Sequence, residues 1–444
     1  MAGQSAKNLL KLLEKSGIAE QELLKESLGN LSEKVGDRAV GTKELTKHLI
    51  ESGIITSWHA DKLLAGKYKG FFLDKYKLLG HLGTGGMSSV YLAESKNTHQ
   101  KRAIKVLPKK KVSDKSYLDR FYREGKAAAS LNHPNIVRIY DINNSGDTHY
   151  MVMEYVQGAD LHDTVRDHGP MSFEDVTEAM IQSAEGLLHA HEKKMVHRDV
   201  KPANLLRTED GVIKILDLGL ALFNSEGEES LTVLYNEKVM GTADYLSPEQ
   251  AVNSHEVDHR ADIYSLGCTL YYLLTGRPPY NNGTLAQRIA MHQSKEPDSI
   301  LESREDCPQA LIDICTMMMR KNPDDRFADC AEIMTVFKQL RDSPDTFRLN
   351  LPPPTAIPVS RSSSSKKAVA EPEKVMATKV GSEYSIDTMS GSESGRIQPT
   401  PPTRAPAIRA RQKKAVPFWL VPALIVSMIA CLVVVLFVVS HFVA

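Results

Sequence analysis

The chain has 444 residues and balances 55 basic against 55 acidic side chains, which leaves no electrostatic footing for nucleic acid, so no such partner is expected. Its length suggests about three domains. The five cysteines (Cys268, Cys307, Cys315, Cys330 and Cys431) share no metal-ligand spacing, which argues against a zinc site or a disulfide scaffold and predicts free thiols in a reducing compartment.

The first residues, Met1-Ala2-Gly3-Gln4-Ser5, lack a basic start followed by an apolar run, so no cleaved signal peptide is expected and the bulk of the chain is read as cytoplasmic. Residues 1–70 have helical periodicity and a weak internal repeat. Leu9, Leu13, Ser16, Gly17 and Ile18 recur as Leu45, Leu49, Ser52, Gly53 and Ile54. In each copy an apolar-periodic helix stops at a glycine suited to a left-handed cap, and a second helix follows. Two such hairpins make a small all-α module, either a structural cap or a protein-interaction module.

Residues 76–340 are the folded centre. β-rich runs come first, at 76–82, 90–94, 102–107, 137–142 and 150–155. Helical patterns follow, at 176–191, 261–274, 309–318 and 328–340. Strands followed by helices imply an α+β, bilobal arrangement, with a β-rich small lobe on a helical large lobe.

Within this region Leu82-Gly83-Thr84-Gly85-Gly86-Met87-Ser88-Ser89-Val90 lies between two strand-like runs. Its glycines let a β-turn approach nucleotide phosphates and donate backbone N–H groups without side-chain obstruction. Lys105 ends the alternating run Ala103-Ile104-Lys105, and Glu124 sits on the helix-like run 117–131, where a carboxylate can hold Lys105 on the α- and β-phosphates. Met153, followed by Glu154-Tyr155-Val156, fits a hinge whose backbone bonds adenine. His197-Arg198-Asp199-Val200-Lys201-Pro202-Ala203-Asn204 then supplies the groups phosphoryl transfer needs. Asp199 accepts the proton of an attacking hydroxyl, Lys201 screens the γ-phosphoryl, and Asn204 takes a metal. Asp217, after the β-like run 212–216, is the main Mg²⁺ carboxylate, since this ion favours oxygen ligands. Mn²⁺ is the alternative ion.

Gly241-Thr242-Ala243-Asp244-Tyr245-Leu246-Ser247-Pro248-Glu249 closes a segment opened at Asp217, in which Ser225, Ser230, Thr232 and Tyr235 offer hydroxyls. A phosphate there could pair with Arg198 and order the segment. Glu249 and Arg326 are expected to form a buried salt bridge, and Asp262 to brace the backbone around Asp199.

From 343 to 414 the composition turns to proline and serine with few apolar residues, the mark of a disordered linker, passive or itself phosphorylated. From Phe418 to Ala444 there is no Asp, Glu, Lys or Arg, so 417–444 is read as a single transmembrane helix. Trp419 serves as its interfacial anchor. Arg404, Arg409, Arg411, Lys413 and Lys414 keep the preceding flank, and with it the catalytic region, in the cytoplasm. Nothing follows Ala444, so no extracytoplasmic sensor is expected.

The order and spacing of these motifs over about 76–340 resemble the Hanks-type, eukaryotic-like serine/threonine protein kinases of bacteria. Gly85-Gly86-Met87-Ser88, His197-Arg198-Asp199-Val200-Lys201-Pro202 and Gly241-Thr242-Ala243-Asp244-Tyr245 carry the likeness. The stretch 55–73 is similar to an N-terminal extension of planctomycete-type membrane-anchored kinases. The resemblance implies a protein kinase fold, ATP and Mg²⁺ as cofactors, and Ser/Thr-bearing protein substrates, with Lys201, Pro202 and Thr242 behind that preference. Arg198 and the hydroxyls of Ser225, Ser230 and Thr232 point to autophosphorylation in trans, for which a homodimer is the expected partner, and the apolar run 417–444 puts the chain at a cell membrane. Ser88 stands where the family pattern has its third glycine, and Leu218 where it has Phe; an apolar Leu218 implies an active–inactive switch that is retuned, not lost. The rival readings are a pseudokinase scaffold and a small-molecule phosphotransferase. Intact Lys105, Glu124, Asp199, Asn204 and Asp217 speak against the first, and the peptide-docking segment 241–249 against the second.

Overall fold

The computed structural model describes residues 5–84, 88–108, 112, 115–218, 243–253, 257–353 and 355. The chain divides into two units, Met1–Ser362 and Ser363–Ala444. The second unit, with the apolar run 417–444, lies outside the described residues, as does the linker beyond 355. So do Gly85, Gly86, Met87, Gly241, Thr242 and the hydroxyls of Ser225, Ser230, Thr232 and Tyr235. Among the described residues no helix is long and apolar enough to cross a membrane.

Four helices lead: α1 (Ala6–Ser16), α2 (Gln21–Val35), α3 (Thr42–Glu51) and α4 (Ser57–Leu64). The sequence repeat is their core, since Leu9, Leu13, Leu45 and Leu49 are all buried in one cluster. Gly17 and Gly53 turn the chain at φ +67° and +69°, a conformation that costs a glycine nothing extra.

Six antiparallel strands follow: β1 (Phe72–Leu73), β2 (Tyr76–Thr84), β3 (Ser89–Ser95) and β4 (Lys101–Val106), then, after helix α5 (Lys115–Ala129), β5 (Ile139–Ser145) and β6 (Thr148–Glu154). Their spatial order is β1-β2-β3-β4-β6-β5. β5 starts two residues later than the apolar pattern suggests and runs on through Asn143, Asn144 and Ser145. The reason is the hairpin: Ser145 pairs with Thr148 across a turn in which Gly146 takes φ +56°, so backbone pairing extends the strand past its apolar part.

The large lobe begins with β7 (Gly158–Asp160), α6 (Leu161–His168) and α7 (Phe173–Glu192). The hairpin β8 (Leu205–Thr208) and β9 (Ile213–Ile215) follows, then α8 (Pro248–Val252), α9 (Arg260–Thr275), α10 (Leu285–Ser294), α11 (Gln309–Met318) and α12 (Cys330–Asp342). α9 is the post of this lobe, buried at every position from Ala261 to Leu274, the polar Asp262, Ser265 and Thr269 included. α12 starts at Cys330, two residues after the apolar pattern does, because the Asp329 side chain caps it by accepting from Glu332 N at 2.9 Å. Cys268, Cys307, Cys315 and Cys330 are buried free thiols. Burial pushes Cys268 up to about 12 and Cys307 up to about 11.

The helical module is joined to the small lobe through α4. Trp58 packs against both the module core and the small-lobe core, and His59, with 0 % exposure, lies between them. Burial, aided by nearby Lys77, lowers the His59 imidazole to about 4, against one backbone hydrogen bond that raises it. The folded state therefore holds His59 neutral while an unfolded chain protonates it near 6.5. Stability at this site is intact above pH 6.5 and falls as pH drops from 6.5 to 4, by on the order of 3 kcal/mol. His292, lowered to about 3 by burial in the large lobe, adds to the same trend. Urea titrations across this range should show a shallower pH slope for His59→Gln than for the natural chain; parallel slopes would exclude His59 as the source.

Candidate active site

The catalytic loop hangs on α9. The Asp262 carboxylate, with 0 % exposure, accepts from His197 N at 2.8 Å, from Arg198 N at 2.7 Å and from His191 Nε2 at 2.8 Å. Burial raises its pKa, but the His191 hydrogen bond and the charges and amides around it prevail and hold the carboxyl below the usual range. The bracing expected of Asp262 is thus a pair of backbone hydrogen bonds. They keep Arg198 at φ +65°, a conformation that non-glycine residues adopt at a cost of about 1–3 kcal/mol.

His197, also buried, fixes the next strand. Its Nδ1 accepts from Asp199 N at 3.2 Å, so Nε2 carries the hydrogen and donates to Leu216 O at 2.8 Å. Leu216 N donates to Asn204 O at 2.8 Å, continuing the β8–β9 ladder in which Leu205 faces Ile215. Asn204 and Asp217 therefore lie at the same end of one hairpin. Asp217 sits at φ +57°.

Asp199, Lys201 and Asn204 form one constellation. Lys201 Nζ lies 3.0 and 2.8 Å from the two Asp199 carboxylate oxygens. Asn204 Nδ2 donates to the Asp199 carbonyl at 2.8 Å and to its carboxylate at 3.0 Å. With its amide nitrogen engaged, Asn204 offers its side-chain oxygen to a cation. That oxygen and the Asp217 carboxylate are the hard donors Mg²⁺ takes, so the residues present fit the ion.

Lys105, on β4 opposite Val90 of β3, reaches across the cleft to Asp217 Oδ1 at 2.6 Å. Burial raises the Asp217 carboxyl; Lys105, with lesser help from His197 and Lys201, outweighs it and holds the group below the ordinary carboxylate range. Glu124, the expected partner of Lys105, is buried on α5 at 7 % exposure. Among the described residues no ion pair joins the two. Leu218 is buried and lines a small cavity of about 10 Å³ with Ala128 of α5, Met151 and Met153.

Of the glycine-rich stretch, Ser88 is buried, Gly83, Thr84, Ser89 and Val90 lie on β2 and β3, and Leu82 is 49 % exposed. At the hinge the Glu154 amide donates to Arg138 O at 2.8 Å, and its carboxylate meets Lys214 at 2.7 Å. Val156, two residues on, is half-buried.

Around the loop, Arg326 grips Glu249 through two bonds of 2.7 and 2.8 Å. Gln250 Nε2 donates to Arg198 O at 2.9 Å. Among the described residues Arg198 Nε is buried without a hydrogen-bond partner. One contributor escaped the motif reading, Gly125. A Cβ there would lie 2.4 Å from Ile142 Cδ1 and 3.0 Å from Met151 Cε, so the ends of these two side chains occupy the space that a larger residue would need. The available signal was a glycine inside a helix, which costs about 1 kcal/mol relative to alanine and so calls for a packing reason.

The family pattern described as Protein kinase domain matches residues 76–338. The serine/threonine-protein kinase PknB of Mycobacterium leprae (strain TN) is 39% identical over 264 residues, 59% of this chain and 42% of that protein. The serine/threonine-protein kinase PrkC of Bacillus subtilis (strain 168) is 35% identical over 310 residues, 68% of this chain and 47% of that protein. The chain thus spans less than half the length of these curated relatives. A crystal structure of Rad53 1-466 in complex with AMP-PNP is similar over 62% of this chain and 68% of that one, at 26% identity and a TM-score of 0.50.

Proposed function

Since the chain belongs to the protein kinase domain family, we propose that it transfers the γ-phosphate of ATP to serine and threonine hydroxyls of proteins, its own included. The observation that carries this reading is the joint constellation of Asp199, Lys201 and Asn204 with Lys105 and Asp217 across one cleft. In it Asp199 takes the proton of the attacking hydroxyl and Lys201 neutralises the moving phosphoryl group. Residues 82–90 cover the phosphates, and the Glu154 carbonyl and Val156 amide receive the adenine. Lys105 exchanges Asp217 for the α- and β-phosphates, with Glu124 holding it there. Asn204 and Asp217 would hold Mg²⁺, or Mn²⁺ in its place, which supplies charge neutralisation at the phosphates.

The test is incubation of the purified chain with γ-labelled ATP, Mg²⁺ and a general protein acceptor, followed by phosphoamino-acid analysis. Label on phosphoserine and phosphothreonine is expected. Label on tyrosine alone, on a small molecule, or nowhere would overturn the reading.

The domain division belongs to the same proposal: a helical module at 1–70, a catalytic domain at 76–340, a tether at 343–414 and a single membrane span at 417–444 with the catalytic side in the cytoplasm. Deleting 417–444 should release an active kinase from membranes into the soluble fraction, because no described helix offers a second span. A truncated chain that still sediments with membranes would place the anchor elsewhere.

Autophosphorylation is the finer part. Among the described residues the buried Nε of Arg198 has no hydrogen-bond partner, which supports a phosphate on the segment 219–242, since a phosphoryl group brings about −1.5 to −2 charges and three acceptors. Replacing Ser225, Ser230 and Thr232 together with alanine should lower turnover of an added protein substrate while ATP affinity changes little. Equal turnover in the two proteins would remove the phosphate switch.

A further inference from the structure

β2, the strand that leads into the glycine-rich loop, is bulged twice. Leu78 faces Ala93 and Gly80 faces Leu92, so Leu79 has no partner on β3; His81 faces Tyr91 and Gly83 faces Val90, so Leu82 has none either. A bulge bends a strand and frees its backbone groups from the ladder, and a buried carbonyl left alone is unfavourable.

The helical module supplies what Leu79 lacks. Thr56 Oγ1 donates to Leu79 O at 2.6 Å. One residue earlier, Leu78 turns both main-chain groups away from β3: its amide donates to Phe71 O at 2.8 Å, and its carbonyl accepts from His59 Nε2 at 2.6 Å. The donor assignment for His59 follows from its other nitrogen, which accepts from Thr56 N at 3.1 Å. His59 N donates in turn to Thr56 Oγ1 at 3.2 Å, so the two side chains lock each other at the start of α4. The His59 ring is held between Trp58 and Phe71, with centroids 5.5 and 5.2 Å away. Trp58 reaches β3, its ring 6.1 Å from that of Tyr91. Both strands that carry the glycine-rich loop are thereby gripped from one side by α4, a few residues short of the loop.

We propose that the N-terminal helical module is a brace for the glycine-rich loop, with Thr56 and His59 as positioning residues for nucleotide binding. The inference rests on the kinase reading above and adds a role for residues outside the catalytic domain. The bulge at Leu79 takes main-chain groups of β2 out of the β2–β3 ladder at this point, and a shift of β2 there would displace the loop's N–H groups from the phosphates. Thr56 and His59 pin the two carbonyls at that point, so the loop is presented in one register.

The test uses the full chain and the Mg²⁺ complex of a non-hydrolysable ATP analogue. Thr56→Val and His59→Phe keep volume and remove the donors; they should weaken analogue binding and raise KM for ATP about fivefold, the worth of one net hydrogen bond, with kcat little changed. Thr56→Ser and His59→Gln retain a donor and should restore both. In the natural chain the coupling is reciprocal, so analogue binding should slow amide exchange in α4. That measurement also serves if a donor-free variant fails to fold. Analogue affinities of Thr56→Val and His59→Phe equal to the natural chain's, or exchange in α4 indifferent to the analogue, would overturn the brace while leaving the kinase reading in place. A natural chain that binds no analogue would instead refute the kinase reading, and the brace with it.

Discussion

Asp199→Asn is expected to lower phosphoryl transfer by roughly 10²–10⁴-fold, the usual worth of a positioned general base, with the thermal transition of the protein little changed. Asparagine keeps the volume, and its oxygen can still accept from Lys201 and Asn204, which now bond the carboxylate at 2.8 to 3.0 Å. What it cannot do is carry away the proton of the attacking hydroxyl. Asp199 is partly open to solvent, its side chain 24% exposed, so no core packing is lost. Labelled-phosphate transfer and a melting curve on the same sample are the check. Transfer at the natural rate would remove Asp199 from the chemistry. A collapsed melting curve would instead make it a structural residue.

The second large effect is expected at Asp262, and there stability and turnover should fall together. Asp262→Ala leaves the amides of His197 and Arg198 and the Nε2 of His191 without their acceptor in a fully buried place. A buried donor left unmade costs about 1–3 kcal/mol, and bonds to charged groups lie at the upper end, so a loss of several kcal/mol is expected. The strained backbone at Arg198 would relax, and Asp199 would move with it. Asp262→Asn should fail almost as badly, because its NH₂ group sets a donor against a backbone or imidazole donor where the carboxylate oxygen accepted. The sign of the pH dependence follows from the depressed pKa of Asp262. Its contribution is complete above the unfolded value near 3.9 and is lost as pH falls through the lower folded value. Urea titrations at neutral pH and at pH 3, with turnover at neutral pH, test all of this. An Asp262→Asn protein as stable and active as the natural chain would show that the amides find another acceptor.

The parts of the site legible in the sequence are those whose chemistry leaves few residue types free. Asp199, Lys201, Asn204 and Asp217 announce themselves because phosphoryl transfer needs a base, a cation and two oxygen ligands in that order. The bracing by Asp262 and the Glu249–Arg326 pair were legible by position. What the motifs could not carry was any pairing that the folded cleft decides. Lys105 bonds Asp217 across 112 positions, a contact that the motif pairing of Lys105 with Glu124 does not contain. The fold class was readable from strands preceding helices, yet the two bulges of β2 were not, because a bulge leaves the alternation of apolar residues almost unchanged. Nor does periodicity tell which strand a neighbouring helix will cover, so Thr56 and His59 carry no mark of their contacts in the sequence.

The buried cysteines have a practical consequence. The thiolate is the reactive form, and with Cys268 and Cys307 near 12 and 11, and Cys315 and Cys330 also raised by burial, almost none of it exists at neutral pH. An oxidant or alkylating reagent in the surrounding medium meets these four sulfurs only when the large lobe opens. They are therefore timekeepers of that opening, and the rate at which they are modified measures how often the lobe comes apart.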